Sequence, residues 1–99
     1  MYTVRQLPGF AAWLSGLKDG MTRRRLARRL EKVQRGTLGD VQPVGDGVHE
    51  MREHFGPGWR MYYVQRGAVL IVMLGGGTKR TQDADIKAAK ARAASLEEA

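Results

Sequence analysis

The spacing of hydrophobic positions changes several times along the chain, and each change marks an element. Tyr2 to Gln6 is rich in β-branched and aromatic residues and predicts a short first strand. Pro8 suits a first helical turn, where its missing N–H costs nothing. Phe10, Trp13, Leu14 and Leu17 then recur at helical spacing, giving one apolar stripe on a short helix that Asp19-Gly20 interrupts. A second helix is predicted from Thr22 to Gln34, with Leu26, Leu30 and Val33 on one side and arginines around the rest. Joined by so short a turn, the two helices are expected to form an antiparallel hairpin that lays both stripes on a sheet.

From Val41 to Gly75 the pattern is that of strands. Val41 to Val44 contains Pro43, which points to a sheet edge. After the turn Gly45-Asp46-Gly47, Val48 to Phe55 alternates. Val48, Glu50, Arg52 and His54 take one face; His49, Met51, Glu53 and Phe55 take the other. Gly56-Pro57-Gly58 signals a hairpin. Trp59 to Gln65 alternates again, Trp59, Met61 and Tyr63 against Arg60, Tyr62 and Val64. Arg66-Gly67 turns the chain into Ala68 to Leu74, apolar on both faces and so expected in the centre of the sheet. The glycine run Gly75 to Gly77 separates it from a last, alanine-rich helix, Gln82 to Glu97, with Ile86, Ala89, Ala93 and Leu96 on one side. Strand, helix, helix, an antiparallel meander of about four strands and a C-terminal helix describe a small α+β domain spanning residues 1–99.

Charge sharpens this picture. Lys and Arg number 17 against 10 Asp and Glu, a net charge of +7. Arg23, Arg24, Arg25, Arg28, Arg29, Lys32 and Arg35 crowd the second helix, opposed there by Glu31 alone. Such density of one sign points to an anionic partner, whether nucleic acid, a membrane surface or an acidic protein, although a solvated helix face would look the same. The sequence has no cysteine, which excludes disulfide scaffolds, thiolate metal sites and cysteine nucleophiles. Its longest apolar run, Ala68 to Leu74, falls far short of the roughly 18 residues of a membrane span. No secretory signal is visible, so a cytoplasmic protein without membrane association is expected.

The candidate chemistry lies on two neighbouring strands. Met51, Phe55, Trp59, Met61 and Tyr63 give the sheet an apolar face to pack under helices. Glu50, Arg52, Arg60 and Tyr62 must then share the opposite face, which is expected to be open. A carboxylate, two guanidiniums and a phenol suit a phosphodiester: the guanidiniums grip phosphate and the ring stacks on a base. A surface ion pair of little energetic consequence would use the same residues.

The segment Gly39-Asp40-Val41-Gln42-Pro43-Val44-Gly45-Asp46-Gly47-Val48-His49-Glu50-Met51-Arg52, with Gly56-Pro57-Gly58-Trp59-Arg60-Met61-Tyr62-Tyr63, resembles the RelE/ParE toxin superfamily. The likeness is to its phage-derived, HigB-like "addiction module killer protein" branch. Phe10, Trp13, Leu14, Leu17 and Asp19 near the start extend it. So do Leu74-Gly75-Gly76-Gly77-Thr78-Lys79, Gln82, Asp85 and Ile86 near the end.

That resemblance implies the toxin of a type II toxin–antitoxin module: a metal-free, cofactor-free endoribonuclease, or mRNA interferase, that cuts messages on the ribosome and arrests growth. Cleavage by the ribose 2′-hydroxyl needs a base, cations around the crowded phosphorane and help for the leaving 5′-oxygen. By position, Arg52 and Arg60 would grip phosphate, Lys79 would assist departure and Tyr62 would orient a base. Glu50 is the first choice as base, although neighbouring cations favour its ionised form and weaken it. His54 shares its strand face and is the second choice, an imidazole titrating ordinarily near ~6.5. His49 faces the core by parity. The implied partners are mRNA on the ribosome and a HigA-like helix-turn-helix antitoxin, through which alone operator DNA would be met. The arginine-rich helix would dock ribosomal RNA or receive the antitoxin. The alternatives are a ParE-like DNA gyrase inhibitor on the same fold and a non-catalytic RNA-binding module.

Overall fold

A computed structural model describes residues 1–98. Strand β1, Thr3–Gln6, leads into helices α1, Pro8–Ser15, and α2, Gly20–Gln34. Strands β2, Val41–Gly45, β3, Val48–Arg52, β4, Trp59–Arg66, and β5, Leu70–Thr78, follow. A 3₁₀ turn, Lys79–Thr81, runs directly into α3, Gln82–Glu98. The sheet order is β1-β5-β4-β3-β2. β2 through β5 pair antiparallel, as a meander should, while β1 joins parallel to β5. The result is an α+β fold with a five-stranded mixed sheet and three helices. Pro43 lies on an edge strand, where its missing N–H leaves no ladder position empty.

Local chemistry sets the boundaries. Pro8 opens α1. Asp19 caps α2, accepting hydrogen bonds from the Thr22 amide at 3.3 Å and the Thr22 hydroxyl at 2.7 Å, an arrangement worth about 1 kcal/mol. The cap starts α2 at Gly20, earlier than its apolar stripe indicates. β3 stops at Arg52 rather than Phe55, because the chain turns through residues 55–58 and the Glu53 amide bonds the Trp59 carbonyl at 2.9 Å. Gly75 to Gly77 are not a linker: they continue β5 to Thr78. A side chain at Gly75 would collide with the Arg92 guanidinium, at Gly76 with the Trp13 ring, and at Gly77 with the Asp85 carboxylate. The glycines therefore allow helices to approach both faces of the strand closely.

Two cores result. On one face Phe10, Leu26, Leu30 and Val33 pack on Met51, Met61, Tyr63, Ile71 and Met73. Each fully buried side chain of this size contributes roughly 1.5–3 kcal/mol. On the other face Ala89 and Ala93 of α3 cover Val48, Tyr62, Val64, Val72 and Leu74, with Ile86 and Leu96 at the margin. No helix among the described residues is long and apolar enough to cross a membrane.

Candidate functional site

The β3–β4 register sets Glu50 opposite Tyr62 and Arg52 opposite Arg60. All four therefore belong to one face, as alternation requires. That face is not open. The apolar stripe of α3 must be buried, and it is buried here, which closes the face that was expected to receive RNA. Glu50 is 4% exposed, Arg60 7% and Tyr62 0%. Gln82, in the first turn of α3, donates to Glu50 Oε2 at 2.9 Å. Burial, reinforced by the Glu50 and Asp85 charges, pushes the Tyr62 hydroxyl above the usual phenol range and keeps it neutral. A ring so enclosed is withheld from stacking on a base. Among the described residues, Tyr62 Oη and Arg60 Nε have no hydrogen-bond partner. Each such buried polar atom costs about 1–3 kcal/mol; His49 Nδ1, on the other face, is a third.

A more accessible group lies at the strand ends. Asp40, just before β2, accepts from Arg52 Nη2 at 2.9 Å and Arg52 Nε at 3.2 Å. The oxygen that accepts from Arg52 Nε, Asp40 Oδ2, also lies 2.6 Å from His54 Nε2. These contacts, Arg52 first and then His54, hold the Asp40 carboxyl down at about 2. Asp40 in turn raises the Arg52 guanidinium above its ordinary value. His54 lies beyond the end of β3 rather than on the strand face, yet the carboxylate brings it beside Arg52; it is 69% exposed. Arg60 Nη1 donates to the Trp59 carbonyl at 3.1 Å and the Glu53 carbonyl at 3.4 Å. Exposed Lys79 donates its amide to the Gly58 carbonyl at 2.8 Å. Gly58 has φ +78, and a Cβ built on it lies 3.4 Å from Lys79 Cβ and 3.6 Å from Arg60 Nη1. The Lys79 stem and the Arg60 guanidinium thus both border the hairpin turn at Gly58. Lys79, Arg80, Gln82 and Asp83 help line an open concavity of about 550 Å³.

Asp40 was not singled out from the sequence. The available signal was its place one residue ahead of a strand whose Val41 pairs with Met51, which sets Asp40 against Arg52. His49 faces the α1–α2 side, stacked on Tyr63 with ring centroids 5.4 Å apart.

The cations of α2 separate into distinct groups. Arg29 is not at the surface: it is 8% exposed and is bonded to the carbonyls of Leu38, Asp40 and Arg52 and to the Glu53 carboxylate. It is a structural tie and is removed from any docking surface. Arg23 is half-buried and donates to the Leu17 carbonyl. Arg25 lies over the Phe55 ring, 3.7 Å from its centroid. Arg24, Arg28, Lys32 and Arg35 are exposed. Among the described residues, no group of three or more His, Cys, Asp or Glu side chains is placed to hold a metal ion.

No family model matches the chain, and no solved structure matches it. A Haemophilus influenzae protein described as uncharacterized is 41% identical to it over 87 residues, 88% of each chain.

Proposed function

We propose that this chain, which belongs to the same family as the Haemophilus influenzae protein, is a RelE/ParE-type toxin that cleaves mRNA without a metal. The observation that carries the reading is the pairing of Arg52 and His54 on one carboxylate, Asp40, at the end of the sheet where the Gly58 turn also sets the Lys79 stem near Arg60. Three cations and an imidazole answer the needs of phosphodiester transfer.

In this reading the ribose 2′-oxygen attacks the adjacent phosphorus and the bond from phosphorus to the 5′-oxygen breaks. The products are a 2′,3′-cyclic phosphate and a 5′-hydroxyl. Burial moves the proton acceptor from Glu50 to His54. Ionised Asp40 accepts from His54 Nε2–H, which leaves Nδ1 with the lone pair that takes the 2′-proton. Arg52 stabilises the phosphorane directly, Arg60 adds its charge from beneath the surface, and the Lys79 ammonium protonates the departing 5′-oxygen. Glu50 acts at one remove, its charge helping to keep Arg52 protonated. Translation arrest and neutralisation by a HigA-like antitoxin follow from the same resemblance. A non-catalytic RNA-binding module is the second reading, favoured by the burial of Glu50 and Arg60.

Purified protein added to ribosomes translating a defined message tests the proposal. Wild type should cut the message, whereas His54→Gln and Lys79→Ala, both at exposed positions, should leave it intact with their fold retained. RNA that is bound but never cut by wild type would favour the binding module. Intact RNA together with gyrase-dependent DNA breaks would favour a ParE-like inhibitor.

A further inference from the structure

The basic character of α2 is not evenly distributed around its axis. At 100° per residue, Arg25, Arg28 and Lys32 fall on one flank, next to the buried Arg29. Arg23, Arg24 and Ala27 fall on the other, where they line a wider apolar groove of about 600 Å³ with Ala11 and Leu14. Arg25, Arg28, Arg29, Lys32 and Glu53 enclose a concavity of about 180 Å³. Its one carboxylate is already matched by Arg29. Among the described residues, Arg28 and Lys32 have no carboxylate partner, and Arg25 is held in place by the Phe55 ring. Three cations are thus left without compensation around a small polar hollow. Such a site favours an anion the size of a phosphate, to which guanidinium presents paired donors.

We infer that this flank is a second RNA site, in which Arg25, Arg28 and Lys32 hold a backbone phosphate away from the scissile bond. It rests on the reading of RNA as the substrate and extends that reading to a defined path. The hollow adjoins the cation cluster through a shared residue: Arg29 Nη1 bonds the Arg52 carbonyl at 2.9 Å and the Glu53 carboxylate, and Arg60 Nη1 bonds the Glu53 carbonyl. A strand lying across half-exposed Arg52 therefore continues onto the Arg25, Arg28 and Lys32 flank. The opposite flank, apolar between its two arginines, is left out of that path.

Binding of a fluorescent 2′-O-methyl oligoribonucleotide, which lacks the attacking hydroxyl, reads the site independently of cleavage. The double variant Arg28→Gln/Lys32→Gln should weaken binding on the order of tenfold at low salt and lower the salt slope by roughly 0.7 per lost contact. Lys18→Gln/Arg24→Gln, equal in charge removed and placed at exposed positions between α1 and α2 and on the opposite flank of α2, should change both far less. Equal losses from the two pairs would overturn the site in favour of diffuse attraction. A polyglutamate peptide that binds more tightly than the oligonucleotide, with the same dependence on Arg28 and Lys32, would also overturn it in favour of an acidic protein segment. The two readings separate cleanly. Oligonucleotide binding that depends on the site, with no message cleaved, removes the nuclease and keeps the site. Cleavage with binding unchanged in Arg28→Gln/Lys32→Gln removes the site and keeps the nuclease.

Discussion

Replacing Arg29 by methionine removes the tie between α2 and the strand ends that carry the cation cluster. Its guanidinium bonds three carbonyls, those of Leu38, Asp40 and Arg52, and pairs with Glu53. Methionine fills much of the volume but leaves those acceptors and the carboxylate without a donor. Breaking a buried ion pair from one side costs about 3–5 kcal/mol. The Glu53 side chain keeps 20% of its surface in water, which places the expected loss near the lower end, about 3 kcal/mol. Against a total stability of roughly 5–15 kcal/mol for a domain of this length, that is a large fraction. Urea unfolding measures it, with an unchanged slope showing that two-state behaviour is retained. Arg28→Met, one residue away and exposed, serves as the control and should stay within about 0.5 kcal/mol of wild type. Arg29→Lys should recover little, because one ammonium cannot span acceptors on three segments. A loss from Arg29→Met no greater than that from Arg28→Met would refute the buried-tie account.

Asp40→Asn tests the acid side. The folded carboxyl lies at about 2 against an ordinary 3.8, so its stabilising effect is present above pH 3.8 and disappears as pH falls through 2. Melting temperatures of variant and wild type should differ at pH 6 and converge toward pH 2; a constant gap would contradict the assignment. Tyr62→Phe tests the alkaline side. The native phenol is held above its ordinary 10.0, so wild type should lose stability above pH 10, where the unfolded chain ionises it and the native chain does not. Urea midpoints between pH 9 and 11 should fall less steeply in the variant. Gly76→Ala forces a methyl against the Trp13 ring and should cost about 1–3 kcal/mol. Adding Trp13→Leu should restore part of that loss, a coupling that a double-mutant cycle reads directly.

Much of the fold was legible because burial in it follows period. Leu26, Leu30 and Val33 on α2, Met51, Met61 and Tyr63 on the sheet, and Ala89 and Ala93 on α3 all sit where their spacing places them. The edge position of β2 could be read from Pro43, and the central position of β5 from its two apolar faces. The parallel pairing of β1 was not legible, since four residues of strand pattern carry no sign of their partner. Gly75 to Gly77 were misleading for a physical reason: glycine signals both chain reversal and close approach, and only the neighbours distinguish them. The site was legible as a set of residues sharing a face, but not in its exposure. Alternation assigns Glu50, Arg60 and Tyr62 to a face without saying that a helix far along the chain returns to cover it. Arg29 looked like its neighbours because a charge run does not reveal which cation turns inward. Asp40 escaped because its partners, Arg52 and His54, lie on the next strand and beyond its end.

The ends left on a cut message report how it was cut. Message recovered from translating ribosomes after exposure to the purified protein, with chelator present throughout, should carry 5′-hydroxyl and 2′,3′-cyclic phosphate termini. The same reaction with His54→Gln should yield none. Termini bearing 5′-phosphate, or a message left whole by the wild-type protein, would contradict the account.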